Sequence, residues 1–169
     1  MKLLVDTSIL LHDFYFRHPE FASHRQQEQS EQLFAFREVV HRSLQHTAEL
    51  ENALVAVPLF ALHRLASILS EYFVPNILVR QEFLYLLHNY ELLSVGIATT
   101  EKMTDLLGNF PDDSEGVDAD LLLLEIAAID NGCTALLTSN TRGLTQTPGG
   151  IKLYTPSGWI NYLSTEYVF

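Results

Sequence analysis

The sequence predicts an α/β protein built on a parallel sheet that helices cover on both faces. Short apolar runs rich in strand-forming residues alternate along the chain with longer segments of helical periodicity. The short runs are apolar throughout, which is typical of strands buried on both faces. The 169 residues are 47% hydrophobic and 18% charged, and no linker or internal repeat divides them. We therefore expect a single domain over residues 1–169, with a central sheet of about four to five strands.

The first half of the chain contains two predicted strands and two predicted helices before Pro58. Lys2–Val5 is a buried strand, and the apolar segment Ile9–Phe16 forms a helical turn packed over it. Gln26–Ala53 is a long amphipathic helix, because its apolar residues recur every three to four positions. Leu54–Val57 is the second short strand.

The rest of the chain continues the same alternation. Asn76 is a candidate N-cap for the helix that follows it. Asn109–Gly116 is a turn-rich acidic loop. The remaining predicted elements are helices over Leu59–Phe73, Ile77–Tyr90, about 100–108, Val117–Asp130 and Pro156–Leu163, and strands over Leu92–Ile97, Thr134–Thr138 and Ile151–Tyr154.

The charge balance is acidic, with 21 Asp and Glu residues against 10 Lys and Arg and a net charge of −11. This argues against the extended basic face that binds duplex DNA through its phosphates. It does not argue against a nuclease, because a divalent-metal site gathers carboxylates. Six of the seven histidines and several arginines fall in the first 64 residues. They form either a solvated helical surface or a local contact surface for RNA phosphates or an acidic partner.

Cellular location is predicted from absences in the sequence. The single cysteine, Cys133, cannot form an internal disulfide. No apolar stretch reaches the roughly 18–20 residues of a membrane span, and Met1 leads directly into the first strand rather than into a signal peptide. We expect a cytoplasmic protein that does not bind membranes.

Polar side chains are predicted to meet at one edge of the sheet. In open α/β sheets, ligands bind beyond the carboxyl ends of the strands. A helix N-terminus also favours ionised carboxylates. The side-chain oxygens of polar residues gathered at this edge would suit Mg²⁺ or Mn²⁺. Taken singly, each acid also has a structural interpretation as a helix cap, a first-turn acid or a turn residue. The clusters are Asp6 and Ser8 after the first strand, Thr138, Ser139 and Asn140 after the fourth, and Asp118 and Asp120 at a helix start.

Other chemistries find little support in the sequence. No glycine-rich loop follows a strand, so a phosphate cradle of the Rossmann or P-loop kind is absent. No Gly-x-Ser-x-Gly elbow is present. His41 and His46 lack the i, i+4 spacing of a helical metal pair.

The ordered motifs resemble a known family over nearly the whole chain. Residues 3–11 read LLVDTSILL, residues 120–128 read DLLLLEIAA, residues 135–140 read ALLTSN, and residues 151–156 read IKLYTP. This series is similar to that of PIN domains, whose first strand ends in Asp-Thr-Asn/Ser and whose last strand leads through Thr-Pro into a helix. The resemblance implies a compact α/β fold and metal-dependent RNA cleavage of the kind carried out by VapC-like toxins.

The resemblance also implies roles for individual residues. Asp6, Asp120 and Asn140 take the positions of acids that hold Mg²⁺ or Mn²⁺ in the family, with Asp118 competing with Asp120 for the helix position. The remaining two matches, which would be supporting hydroxyls, are Ser8 and Thr138.

The sequence departs from the family pattern in two places, and one of them follows Asn140, where the family often has an Asp and this chain has Arg142, Gly143 and Leu144. The family has a Glu on the helix after the second strand, where this chain has His63 or Arg64. Two carboxylates and an amide would bind metal weakly, since affinity depends on ligand charge. The arginine and histidine would instead contact a substrate phosphate. Replacement carboxylates could come from Glu125 or from the loop that contains Asp112, Asp113 and Glu115.

Two functional hypotheses follow from the resemblance, and a third hypothesis does not depend on it. The first is a metal-dependent endoribonuclease that cleaves single-stranded or structured RNA, as a toxin of a toxin–antitoxin pair does. The alternative is a PIN-like domain that has lost catalysis and serves as an RNA-binding or protein-interaction module. The third is an unrelated α/β hydrolase or binding domain. The implied partners are RNA, an antitoxin-like protein and a second copy of the chain, with Gln26–Ala53 and Tyr162–Phe169 as candidate contact surfaces.

Overall fold

In the part of the chain that the structure describes, the sheet has five parallel strands, with the first strand of the chain at the centre, the second and third on one side and the fourth and fifth on the other. We analysed a computed structural model that describes residues 1–22, 30–94, 101–102, 104–105, 119–141 and 143–166. The parallel sheet confirms the predicted α/β fold class. The strands are β1 (Lys2–Val5), β2 (Leu54–Pro58), β3 (Glu91–Leu93), β4 (Ala135–Leu137) and β5 (Lys152–Tyr154).

Six α-helices flank the sheet in the described part of the chain, and a short 3₁₀ helix, Pro19–Phe21, follows the first of them. None of these helices is long and apolar enough to cross a membrane. The α-helices are α1 (Thr7–Arg17), α2 (Ser30–Glu49), α3 (Leu59–Glu71), α4 (Asn76–Asn89), α5 (Ala119–Asp130) and α6 (Pro156–Glu166).

The buried strand β1 divides the apolar core into two layers. Leu3 and Val5 point to one side, where they pack with residues of α1, α2, α3, α4 and α6. Leu4 points to the other side and packs with residues of α5. Alternate residues of a strand face opposite sides of a sheet, so an uninterrupted apolar strand serves both layers.

Most predicted elements are confirmed, and the differences lie at their ends. Helix α2 ends at Glu49 rather than at Ala53, because the chain turns to place Leu54 beside β1. Asn76 is the first residue of α4 and not its cap. Pro75 occupies the cap position, and no side chain caps this end. The predicted helix at about 100–108 and the acidic loop fall largely or wholly outside the described residues.

A buried cluster of charged residues holds α1, α2 and α4 together. Arg17 donates from Nε to Asp13 at 2.9 Å and from Nη2 to Glu82 at 2.6 Å. His41 Nδ1 lies 2.7 Å from the other oxygen of Asp13. Arg17 also lies over the ring of Tyr85. Both carboxylates are almost fully buried, so they depend on the Arg17 guanidinium for stabilisation.

The turn between α3 and α4 contains an unusual residue. Phe73 has a φ of 58° and is 90% exposed. The amide of Val74 donates to the carbonyl of Leu69, and the amide of Phe73 donates to that of Ser70. This is a Schellman motif, in which the left-handed position usually belongs to glycine.

Candidate functional site

A pocket of about 290 Å³ opens at the carboxyl edge of β1 and β4. The two strands are neighbours in parallel register, with Val5 beside Leu137, so the residues after them emerge together. The pocket lies between α1, α3 and α5. Its polar lining consists of Asp6, Thr7, Ser8, Arg64, Asp120, Thr138, Ser139, Asn140 and Thr141.

Asp6 is held by the start of helix α1. It is the N-cap of that helix, and its Oδ1 accepts hydrogen bonds from the amide of Ile9 at 3.1 Å and from the hydroxyl of Ser8. Its own amide donates to the carbonyl of Leu137 on β4. Both side-chain bonds use Oδ1, so the Asp6 carboxylate is oriented by the fold at the floor of the pocket.

Ser8 connects the ends of the two strands. Its hydroxyl donates to Asp6 and accepts from the amide of Ser139 at 3.3 Å. The next turn is closed by Thr138, whose Oγ1 accepts from the amide of Asn140 at 3.3 Å. These bonds fix the polypeptide after β4 beside the polypeptide after β1, and Ser8, Thr138 and Asn140 all line the pocket.

Asp120 lies on the opposite wall, in the first turn of α5, and is ion-paired with Arg64 of α3. Both side chains are about half exposed. The pocket therefore contains two carboxylates and one guanidinium. Within the described ranges, no three His, Cys, Asp or Glu side chains form a group that could hold a metal ion.

The structure distinguishes the two residues that stand where the family has its Glu. Arg64 lines the pocket, whereas His63 is exposed and is not part of the lining. Asp118 and the loop residues Asp112, Asp113 and Glu115 lie outside the described residues.

Glu125 is not a replacement carboxylate for the pocket, so that prediction was wrong. Its side chain is completely buried, and its Oε1 accepts from the hydroxyl of Thr147 and the amide of Gly149. These hydrogen bonds connect α5 to the loop before β5, and Glu125 does not line the pocket. The sequence contained a signal for this role. An acid that stands alone inside the apolar run LLLLEIAA is expected to be buried, and a buried acid requires hydrogen-bond donors.

His12 is a half-buried histidine of α1, six residues after Asp6. Burial, followed by the charge of Arg37, lowers the pKa of His12, while the charge of Asp6 acts in the opposite direction. The Nδ1 atom of His12 is buried without a hydrogen-bond partner, and its ring packs edge-on against Phe36. His12 therefore favours its uncharged form.

The apolar wall of the pocket was not predicted from the sequence. The available signal was the i, i+4 spacing of Phe60, Arg64 and Ile68, which places all three on one face of α3. The wall consists of Leu11, Phe60, Ile68, Leu121, Leu124 and Leu153.

Comparisons with known proteins reveal similarity in fold. No protein-family model matches the chain, and no curated protein matches it in sequence. Among solved structures, a chain in the crystal structure of VapBC2 from Rickettsia felis bound to a DNA fragment from their promoter matches with a TM-score of 0.64. The match has 16% sequence identity and covers 92% of this chain and 98% of that chain. The chain thus shares its α/β fold with a component of a VapBC2 complex, in agreement with the PIN-like fold that the sequence resemblance implies.

Proposed function

We propose that this protein is a metal-dependent endoribonuclease of the VapC-like kind. The observation that carries the proposal is that Asp6, Asp120 and Asn140 line one pocket at the carboxyl edge of β1 and β4. These residues come from separate parts of the chain and match the positions of the family's acids. The fold similarity to a chain of the VapBC2 complex supports the same assignment.

The oxygen donors of the pocket fit a hard divalent cation. Mg²⁺ is commonly held by one or two carboxylates and retains several waters, so Asp6 and Asp120 with the amide oxygen of Asn140 meet the minimum requirement. Oδ1 of Asp6 accepts the cap bonds, so Oδ2 is the oxygen that would be available to a cation. Asp118 is a further candidate ligand, as an alternative to Asp120. The small number of charges implies weak binding that the substrate phosphate strengthens.

The chemistry divides among the residues of the pocket. A bound Mg²⁺ or Mn²⁺ polarises the phosphate and lowers the pKa of a water. Asp6 and Asp120 would hold the cation. Ser8 keeps the two strand ends together, and Thr138 holds Asn140 in the turn after β4. Arg64 would bind a nonbridging phosphate oxygen and stabilise the charge that develops there, whereas the exposed His63 could reach the substrate only outside the pocket lining.

The test is cleavage of a mixed single-stranded RNA with Mn²⁺ or Mg²⁺. We expect cutting that EDTA abolishes and that Asp6→Asn reduces by at least about a hundredfold, because a charged ligand is lost. Asn still caps a helix, so this variant should remain folded. Glu38→Gln, on the exposed surface of α2, is the matched control and should cut at the wild-type rate. Cutting that survives Asp6→Asn would contradict the proposed site.

A second candidate function is a PIN-like module that does not cleave RNA and acts by binding RNA or a protein. The observation that favours it is the ion pair between Arg64 and Asp120, which occupies a carboxylate that the metal requires. A folded protein that neither binds nor uses millimolar Mn²⁺ would support this function.

We also propose an antitoxin-like protein partner and self-association, by analogy with the VapBC2 assembly. Helix α2 is the better described of the two candidate surfaces and exposes Phe34, whereas residues 167–169 of the C-terminal surface lie outside the described range. Sedimentation of the purified chain, alone and after co-expression with the product of a neighbouring reading frame, would test both expectations.

A further inference from the structure

The pocket has more apolar surface than the binding and cleavage of a phosphate group would require. The apolar wall contributes six side chains to the lining of the pocket, of which one, Phe60, is aromatic. Apolar surface that faces an open pocket gains free energy when a ligand covers it. We propose that this wall, centred on Phe60, binds the base of an unpaired nucleotide whose phosphate lies beside Arg64. The inference rests on the proposed function and specifies its substrate.

The geometry of α3 supports one nucleotide bridging the two groups. Phe60, Arg64 and Ile68 are four residues apart and all face the pocket. At a rise of about 1.5 Å per residue, successive members are about 6 Å apart along the helix. This spacing is similar to the distance between the phosphate and the base of the same nucleotide. A phosphate bound at Arg64 therefore places its base against either Phe60 or Ile68, and only Phe60 offers an aromatic face.

The size of the pocket and the charge of the chain favour an unpaired base. A volume of about 290 Å³ accommodates one nucleotide but not a base pair. The net charge of −11 also argues against the extended basic face that a duplex requires. Stacking on an aromatic side chain needs a base outside its own helix, as in single strands, loops and bulges.

The experiment uses a single-stranded hexaribonucleotide with 2-aminopurine at one position, titrated with the full-length protein. Ca²⁺ replaces Mn²⁺ so that binding is observed apart from cleavage, and the length of the RNA is verified afterwards. We expect quenching of the 2-aminopurine fluorescence as the base stacks. Phe60→Leu should weaken binding about tenfold and remove the quenching. Phe60→Tyr keeps the ring and should bind and quench like the wild type.

The matched control is Phe83→Leu, which changes another half-buried phenylalanine, on α4 and outside the pocket. It should quench and bind like the wild type. Quenching that persists in a folded Phe60→Leu protein would overturn the proposal. Should Phe60→Leu not fold, Phe60→Tyr and Phe60→Trp still test it, because loss of quenching in both would contradict a stacking role.

The outcomes separate this inference from the proposed function. Quenching that depends on Phe60 without any cleavage in Mn²⁺ would support the base subsite and contradict the nuclease. Cleavage together with unchanged RNA binding by Phe60→Leu would support the nuclease and overturn the subsite. An absence of quenching by the wild-type protein would also overturn the subsite, and the wall would then suit an apolar side chain of a protein partner.

Discussion

Arg64 of α3 forms an ion pair with Asp120 of α5 across the mouth of the pocket. The pair joins a cation to one of the two carboxylates proposed to hold a metal ion. Any divalent cation that binds there must compete with the guanidinium for the same oxygens. The pair is about half exposed, so water and salt weaken the attraction between the two charges. Replacing the guanidinium with another cation therefore costs little free energy.

Removing the competing charge should strengthen metal binding. We expect Arg64→Gln to bind Mn²⁺ about fivefold more tightly than the wild type, which is the effect of one neighbouring charge in a solvated site. Arg64→Lys retains the charge and should bind like the wild type. Electron paramagnetic resonance of free Mn²⁺ measures both affinities. Equal affinity in Arg64→Gln and the wild type would show that the metal does not share Asp120 with this arginine.

Asp6 has two separable roles. Asp6→Ala should lower the free energy of unfolding by about 1 kcal/mol, because the cap of α1 is lost. Asp6→Asn should lower it by less, since an amide oxygen still accepts from the amide of Ile9. Both variants should lose Mn²⁺ binding. Urea unfolding and metal titration of the two proteins give the comparison, and equal losses of stability would contradict the capping role.

Arg17 should be among the residues most sensitive to substitution. Burial lowers the pKa of Arg17, but its bond with Glu82 and the charges of Asp13 and Glu82 raise it overall, so the guanidinium stays charged. Arg17→Ala removes the guanidinium from two buried carboxylates, Asp13 and Glu82, and should cost about 3–5 kcal/mol in urea unfolding. Arg42→Ala breaks an exposed i, i+4 pair with Glu38 and should cost less than about 1 kcal/mol. Similar losses for the two variants would contradict this account.

His12 should make the fold sensitive to mild acid. Its pKa in the folded protein is below the ordinary value of 6.5, so the unfolded chain takes up the proton first. Stability from this group is present above pH 6.5 and is lost as the pH falls from there to the folded pKa. Unfolding by urea between pH 8 and about pH 5 should show a shallower decline for His12→Gln than for the wild type. His88→Gln, on the exposed surface of α4, should follow the wild-type curve.

Phe73 should be replaceable with a gain in stability. Its backbone is in the left-handed region, which is strained for a residue with a side chain, and its ring is almost fully exposed. Phe73→Gly therefore removes strain while losing little buried area. The expected gain in the free energy of unfolding is about 1 kcal/mol. The neighbouring Tyr72 has an ordinary φ of −89°, and Tyr72→Gly should destabilise the protein by about 0.5–1 kcal/mol. A loss of stability in Phe73→Gly would contradict the strain argument.

Local sequence patterns predicted the sheet and the polar edge because both depend on neighbouring residues. The run LLV followed by Asp6 indicates a buried strand that ends in a polar turn. The residues after β1 and β4 come together because these two strands are neighbours in the sheet, a pairing that the local patterns left as a condition. The gathering of Asp6, Thr138 and Asn140 at one pocket follows from that topology.

The remaining features of the site depend on contacts between distant residues. Whether His63 or Arg64 faces the pocket depends on the rotation of α3, and an error of one residue turns a helix by about 100°. The ion pair between Arg64 and Asp120 joins positions 56 residues apart. Glu125 finds its donors 22 and 24 residues later in the chain. No local pattern specifies these pairings, which explains why the role of Glu125 was predicted wrongly.

The central position of β1 has a consequence for how the protein is made. Its strand partners begin at Leu54 on one edge and Ala135 on the other, so 132 residues separate Leu3 from its later partner. At about 5–20 residues per second, the ribosome needs roughly 7 to 26 seconds to supply that partner. During this interval the nascent chain carries an apolar strand with one unpaired edge, which chaperones or neighbouring chains can bind. Folding can finish only after most of the polypeptide has been translated.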